Sequence, residues 1–363
     1  VSSIIAILGI LLTIFFVIGT HESAHFLMAR LLHVKVLRFS IGFGKTLWRH
    51  YDRHGTEYVV ALLPLGGYVK MLDESEDTVP PDQLPFAFNR QPFYKKFLIV
   101  LAGPCANILS AFILYWIIFS IGFTTIKPII GSITPHSIAA EAGLAPQQEI
   151  MQVDHQPVSS WTAILFRIML HLGDQDTISV QTLHQNQSRI HTLHLTSWHV
   201  DDLNPDPLAS LGIKPYVPSS FHWPATLLSH IQYPPLPAAY HAWREIVDFT
   251  VFNFLLFGKI ITGKLSLHSL GGPITIFETA GDALNSGVLA FLGFLAFLSV
   301  SIGIINLLPI PGLDGGHLFI QVIEFIIQRA IPERVVLLLF RLGFILILFV
   351  LVQALMNDIL RLY

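Results

Sequence analysis

Charge is scarce in this sequence. Asp, Glu, Lys and Arg make up 12% of its 363 residues, about half the share of an ordinary soluble domain. Hydrophobic residues reach 53% and the mean hydropathy is +0.62. A soluble globule cannot hide that much apolar surface, and the same composition excludes disordered, collagen-like and coiled-coil chains. Cysteine is nearly missing: Cys105 stands alone, which rules out an intramolecular disulfide framework. No excess of positive charge exists either. With 21 Lys and Arg against 24 Asp and Glu the formal charge is -3, so no nucleic-acid footprint is expected. Repeats and low-complexity tracts are absent. Long apolar runs are what the chain has in quantity, and they define a polytopic α-helical membrane protein.

Four runs are long enough to cross roughly 30 Å of hydrocarbon: residues 4–28, 97–123, 288–308 and 335–356. The first lacks the basic flank and small-residue cleavage site of a signal peptide. The fourth carries Arg341 near one end, where its stem can snorkel to the interface. Between residues 27 and 96 there are ten Lys or Arg, whereas residues 124–240 hold four against eight acids. The positive-inside bias therefore places the first loop in the cytoplasm and the second loop, with both termini, outside.

Within the first loop, two β-rich runs in residues 57–72 flank Pro64-Leu65-Gly66-Gly67, the pattern of a hairpin. The runs are too apolar for a solvated hairpin, so a membrane-embedded position among the helices is expected. The acidic run 73–77 reads as a solvated edge. In the outer loop, residues 127–197 have a globular pattern, with strands expected near 129–133, 178–183 and 190–195. Residues 198–240 hold eight of the 22 prolines and read as an extended connector. Residues 243–270 read as an interfacial amphipathic helix. His191 and His194 have a paired spacing, but on a strand they face opposite ways, and solvated surface is the expectation for both. The expected organisation is thus a membrane half at 1–123, a globular insert at 127–215, a connector with amphipathic helices at 216–287, and a second membrane half at 288–363.

The sharpest chemical signal is His21-Glu22-Ser23-Ala24-His25. On a helix, positions i and i+4 share a face, so both imidazoles can hold one metal ion. Zinc suits such ligands and leaves one position open for water in catalytic sites. Glu22 stands where it can take a proton from that water. Chance placement in this composition gives the pattern about 0.02 times per chain. Its position at the end of a span adds weight, because ionisable groups at membrane depth are costly unless paired or metal-bound. Two histidines leave a third ligand to find. Asp314, in Leu313-Asp314-Gly315-Gly316-His317 after a helix break at Pro309 and Pro311, is the carboxylate that the third run brings to membrane depth.

The chain resembles bacterial site-2 proteases of the regulator-of-sigma-E protease type, which are intramembrane zinc metalloproteases. The resemblance rests on His21–His25, Gly42-Phe43-Gly44, the 64–71 hairpin, Ala102-Gly103-Pro104 with Asn107, Gly271-Gly272-Pro273-Ile274, and Asn306-Leu-Leu-Pro-Ile-Pro-Gly-Leu-Asp-Gly-Gly-His317. It implies one zinc per chain held by His21, His25 and Asp314, with Glu22 as general base. It also implies that Asn306 engages the substrate or reaction intermediate, and its amide can donate to a developing oxyanion. Gly66, Gly67 and Tyr68 fall in the family's membrane-reentrant β-loop, where an unwound substrate can add as a strand. His317 follows Asp314 by three residues, as a packing residue or as a partner behind the ligand. The globular insert resembles a PDZ module, an extracytoplasmic α+β domain, at 130–133, 137–144 and 150–154. It departs from that pattern at Gln148-Glu149, where Gly-Asp is usual, and at His155, where glycine is usual. Its length has room for one module, and whether it binds peptide is left open.

The expected activity is hydrolysis of a peptide bond in the transmembrane segment of single-span proteins already trimmed outside, of the anti-sigma-factor type or signal-peptide remnants, in the bacterial inner membrane. A membrane metal transporter and a proteolytically silent PDZ adaptor are the rivals. A transporter needs no base at Glu22, and a silent adaptor need not keep a full ligand set.

Overall fold

A computed structural model describes residues 2–74, 79–196, 198, 206–218, 224–263 and 271–362. Among the described residues, four helices are long and apolar enough to cross a membrane: α1 (Ser2–Leu31), α2 (Phe93–Ile121), α8 (Val288–Leu307) and α10 (Glu333–Leu362). They begin and end within six residues of the apolar runs read from the sequence. The described chain divides into two compact units, one comprising residues 1–117, 242–246 and 273–352, the other 118–241, 247–272 and 353–363.

In the first unit, α1 and α2 frame a sheet built from β1 (Val36–Tyr51) and β2 (Glu57–Met71). These strands pair antiparallel across a turn at 52–56, not across Pro64–Gly67 as the sequence pattern implied. Chain reversal at Pro64–Gly67 does occur, but the two apolar runs of β2 do not pair with each other. Residues 38–41 lie between them, matched to 67–70 on one side and to 57–60 on the other. Residues 48–51 pair with the far side of 57–60. Gly42 and Gly44, at φ +94° and +84°, turn β1 back on itself to allow this. A Cβ at Gly42 would also stand 2.9 Å from the Ala61 carbonyl oxygen, so only glycine fits that corner without strain. The result is four segments side by side with 67–70 at one edge, which carries no further strand among the described residues.

The turn is pinned to α1. Asp52 accepts from the backbone N–H groups of His54 and Thr56 at 2.9 Å and pairs with Arg30, which also donates to Thr56 Oγ1 at 2.9 Å. Burial works to raise the Asp52 carboxyl, but the hydrogen bonds from Thr56, Arg30 and His54 hold it at about 2. Arg30 lies over the Phe26 ring, which packs with Phe39 and Tyr58 of the sheet. Ala29, Val34, Val36 and Ile99 close the contact as a buried cluster.

The short helix α7 (Pro273–Ser286) packs on α1 through small residues: a Cβ on Gly9 would meet the Ala280 carbonyl, and one on Gly281 would meet Ala6. After α8 the chain breaks at Pro309 and Pro311 and restarts as α9 (Asp314–Ile327). Gly315 and Gly316 let the first turn of α9 lie directly on the backbone of 307–311, where any side chain would collide.

The second unit holds the globular insert. Strands β5 (Glu149–Val153), β6 (Gln156–Pro157), β7 (Thr177–His184) and β8 (Gln187–His194) form one sheet in the order β6-β5-β7-β8. β4 (Ile130–Ile133) pairs with β9 (Ile213–Pro215), and β3 (Phe123–Ile126) with β10 (Leu228–Ile231). Helices α3 (Ile138–Glu141), α4 (Trp161–Met169) and α5 (Pro207–Leu211) pack around a core of Ile150, Ile164, Ile178, Leu193 and Leu211. The three expected strands correspond to β4, β7 and β8. His191 departs from the surface reading: it is buried and held by the Ala142 carbonyl at 2.9 Å and Thr182 Oγ1 at 3.1 Å, whereas His194 faces out. The alternation of β8 decides this, since 191 falls on the inward face and 194 on the outward one.

In the proline-rich stretch, residues 199–205 and 219–223 lie outside the described residues, and the described part forms helices and strands where an extended connector was expected. Pro207 opens α5, and Pro235 opens α6 (Pro235–Ile261), a position where proline's missing N–H costs nothing. Lys259 of α6 is buried and donates to the carbonyls of Leu170 and Leu172 and to Asp174 Oδ2 at 2.8 Å. Residues 264–270 of the expected amphipathic segment, and 75–77 of the acidic run, lie outside the described residues.

Candidate active site

Helix α1 presents His21 and His25 on one face, both buried. Their Nε2 atoms lie 3.1 Å apart. Asp314, in the first turn of α9, brings Oδ2 to 3.0 Å from His21 Nε2 and 3.2 Å from His25 Nε2. The helix N-terminus favours a carboxylate there. Among the described residues this trio is the group of His, Cys, Asp and Glu side chains whose ligand atoms converge.

The arrangement suits a cation. His25 Nδ1 lies 2.8 Å from the Ile99 carbonyl oxygen and must carry the proton to donate to it, which leaves Nε2 with a bare lone pair. Asp314 Oδ2 is buried and accepts no hydrogen bond. Electron-rich atoms thus face one another at about 3 Å, which is unfavourable unless positive charge sits between them. Ligands about 2.0–2.2 Å from a tetrahedral zinc stand roughly 3.3 Å apart, close to the spacing found. Three protein donors leave the fourth position open.

Glu22 sits one residue round the helix, partly buried. Its Cγ packs against Gly67 so closely that a Cβ on Gly67 would stand 2.8 Å from it and 2.8 Å from the Ser40 carbonyl oxygen. The sheet edge at 67–70 therefore begins beside Glu22. Phe43 covers Gly66 and stacks on Tyr68, whose hydroxyl accepts from Arg38 at 3.1 Å. Asn306 stands in the last turn of α8, partly exposed, and its amide makes no hydrogen bond among the described residues. The His317 ring packs 4.5 Å from that of Phe340.

Helix α2 adds residues to which the sequence assigned no role. A Cβ at Gly103 would overlap both imidazoles. Buried Asn107 places its amide nitrogen 3.2 Å from His21 Nδ1. The signal was present as Gly103-Pro104 followed by Asn107, a polar residue inside an apolar span, but nothing local told which side chain it faces.

A helical membrane protein with a buried HExxH pair and a carboxylate closing the trio has the architecture of an intramembrane metallopeptidase. Comparison with known proteins carries this further: the model of Peptidase family M50 matches residues 9–350, and the chain belongs to that family. It is 34% identical to the regulator of sigma-E protease RseP of Salmonella typhimurium and to that of Escherichia coli K12, over 99% of this chain and 98% of each relative. It is 32% identical to a Vibrio cholerae protein whose name designates it a candidate zinc metalloprotease, over 95% of this chain and 96% of that one. The protein is a zinc metalloprotease of the site-2 type.

Proposed function

We propose that the protein cuts single-span membrane proteins within or near the bilayer, using His21, His25 and Asp314 to hold one zinc and Glu22 as general base. The convergence of His21 Nε2, His25 Nε2 and Asp314 Oδ2 at 3.0–3.2 Å beside Glu22 carries this reading. Bound zinc supplies Lewis acidity that polarises the scissile carbonyl and acidifies water near neutral pH. Glu22 accepts the proton of the attacking water and delivers it to the leaving amine. The Asn306 amide donates to the oxyanion as it develops.

A peptide bond inside a helix is shielded from attack, so the substrate must unwind locally. The edge strand at 67–69, beside which no further strand lies among the described residues, supports strand addition as the way it is held. Gly66 and Gly67 leave that edge without side chains where it passes Glu22, and Tyr68 is braced by Phe43 and Arg38. The sheet is membrane-embedded in this reading, since its apolar strands carry Leu62, Leu63, Leu47 and Trp48 exposed.

The globular insert acts as a single PDZ-like module that screens out untrimmed substrates. Its mixed α+β construction supports the assignment. So does length: the alignment to the Salmonella relative runs over 448 positions against 363 residues here, a difference of 85, enough for one small domain. Loop charge supports a bacterial inner-membrane location with the metal centre toward the cytoplasm and the module outside. Substrates of the anti-sigma-factor type are the ones assigned in this reading, and the relatives' designation as regulators of sigma-E supports it.

The test is cleavage of a single-span model substrate by detergent-purified protein, beside Glu22→Gln, with zinc quantified in both. Cutting by the wild type alone, with zinc in each, is expected. A wild type without stoichiometric zinc overturns the mechanism.

A further inference from the structure

We propose that Asn107 is a positioning residue that fixes the ring of His21 for metal binding, as the Ile99 carbonyl fixes His25. The inference rests on the reading of His21, His25 and Asp314 as the zinc site. Residues 99, 103 and 107 recur at intervals of four, so they form one stripe along α2. That stripe faces the His21–His25 stripe of α1 at three successive points. The Ile99 carbonyl oxygen takes His25 Nδ1 at 2.8 Å, Gly103 has no side chain where both rings lie, and the Asn107 amide meets His21 Nδ1 at 3.2 Å.

The chemistry of the ring makes that last contact consequential. A neutral imidazole that offers Nε2 to a metal carries its proton on Nδ1, and that proton needs an acceptor. Asn107 is fully buried, and its side-chain partners among the described residues are His21 and Thr20. Its amide nitrogen faces Nδ1. A half-turn of the amide exchanges nitrogen for oxygen without moving either helix and provides the acceptor. The NH2 group then turns to Thr20 Oγ1, now 3.3 Å from the amide oxygen, and the Thr20 hydroxyl donates to the Phe16 carbonyl at 2.8 Å. Each link from His21 through Asn107 and Thr20 to Phe16 then matches a donor with an acceptor. An apolar residue of similar size at 107 leaves the Nδ1 proton buried without a partner, which favours the opposite tautomer and withdraws Nε2 from the metal.

The experiment is zinc affinity by competition with a chromophoric chelator, together with the absorption spectrum of the cobalt-substituted protein, for wild type, Asn107→Leu and Asn107→Asp. Asn107→Leu is expected to weaken zinc binding roughly 10- to 100-fold, the usual cost of losing a partner behind a ligand, and to alter the cobalt bands. Asn107→Asp, whose carboxylate accepts from Nδ1–H, is expected to restore both. Should Asn107→Leu fail to accumulate, Thr20→Val removes the far anchor of the amide and is expected to weaken binding in the same direction. Wild-type affinity and an unchanged cobalt spectrum in Asn107→Leu, or in Thr20→Val where that variant stands in, overturn the proposal. A wild type that binds no zinc instead overturns the metal-site reading on which it rests.

Discussion

Gly67 stands against Glu22: a Cβ placed on Gly67 would lie 2.8 Å from Glu22 Cγ and equally close to the Ser40 carbonyl oxygen. The edge of the sheet and the carboxylate of the HExxH helix are therefore in van der Waals contact, with no room for even a methyl group between them. Under the proposed function, the contact couples how the substrate lies to where Glu22 acts.

Gly67→Ala must push the edge away from α1, because one of the two clashes is with backbone that cannot swing aside. A displacement near 1 Å at a reacting centre can cost about a hundredfold in rate. The expected outcome is a loss of about ten- to hundredfold in kcat/KM on a single-span substrate, with zinc content unchanged. Zinc analysis and steady-state cleavage of the same preparation check it, and full activity in the variant would count against strand addition beside Glu22.

Gly103→Ala acts on the other side of the same helix. Its Cβ would overlap His25 and crowd His21, so the two rings lose their common orientation. Overpacking of this kind costs about 1–3 kcal/mol, and here it falls on the two histidines proposed as ligands. Metal-depleted protein and loss of cleavage are expected together, measured by elemental analysis after gel filtration. Gly19, with open space at its Cβ on the same helix as the histidines, is the control: Gly19→Ala is expected to leave zinc content unchanged.

The HExxH pair was legible because its spacing is local: i and i+4 on a helix settle which rings meet, whatever the rest of the chain does. Asp314 was legible only as a carboxylate at a helix break, since 289 residues separate it from His25 and no spacing rule bridges that distance. The strand runs of the sheet could be read from composition. The insertion of 38–41 between the two halves of β2 could not, because it depends on two glycines at positive φ bringing distant segments together. Asn107 and Gly103 were visible in the sequence, but their meaning lies in the facing helix. Lys259 shows the same limit, as a basic residue whose partners sit 85 to 89 positions away.

Lys259 ties α6 to the segment after α4. Its ammonium donates to two carbonyls and one carboxylate, and nearby Phe166 packs edge-on to Phe249 and Phe252 while Arg167 pairs with Asp248. Lys259→Met keeps the stem but removes the three hydrogen bonds of the ammonium, a loss of about 1–3 kcal/mol for the local fold. Hydrogen exchange should report it as faster exchange at residues 168–176 and along the last turns of α6, with the β5–β7 pairing unaffected. Unchanged protection at 168–176 would show that the aromatic contacts and the Arg167–Asp248 pair hold α6 in place without Lys259.

The pinning of the 52–56 turn to α1 has a defined pH window. The carboxyl of Asp52 is held at about 2 in the folded chain, against an ordinary value of 3.8, chiefly because the Thr56 amide, Arg30 and the His54 amide outweigh the effect of burial. A depressed carboxyl stabilises the fold when ionised, so its contribution is complete above about 4 and is lost as pH falls through about 2. Asp52→Asn isolates the charge, since the asparagine oxygen can still accept from the Thr56 and His54 amides. The variant is expected to be less stable than wild type at pH 7 by on the order of 1 kcal/mol, allowing for partial solvent screening. The gap should narrow below pH 4 and close near pH 2. Limited proteolysis at the 52–56 turn across that range measures it directly. A gap that persists at pH 2 would mean that Arg30 is held by Thr56 and the Phe26 ring, not by the charge of Asp52.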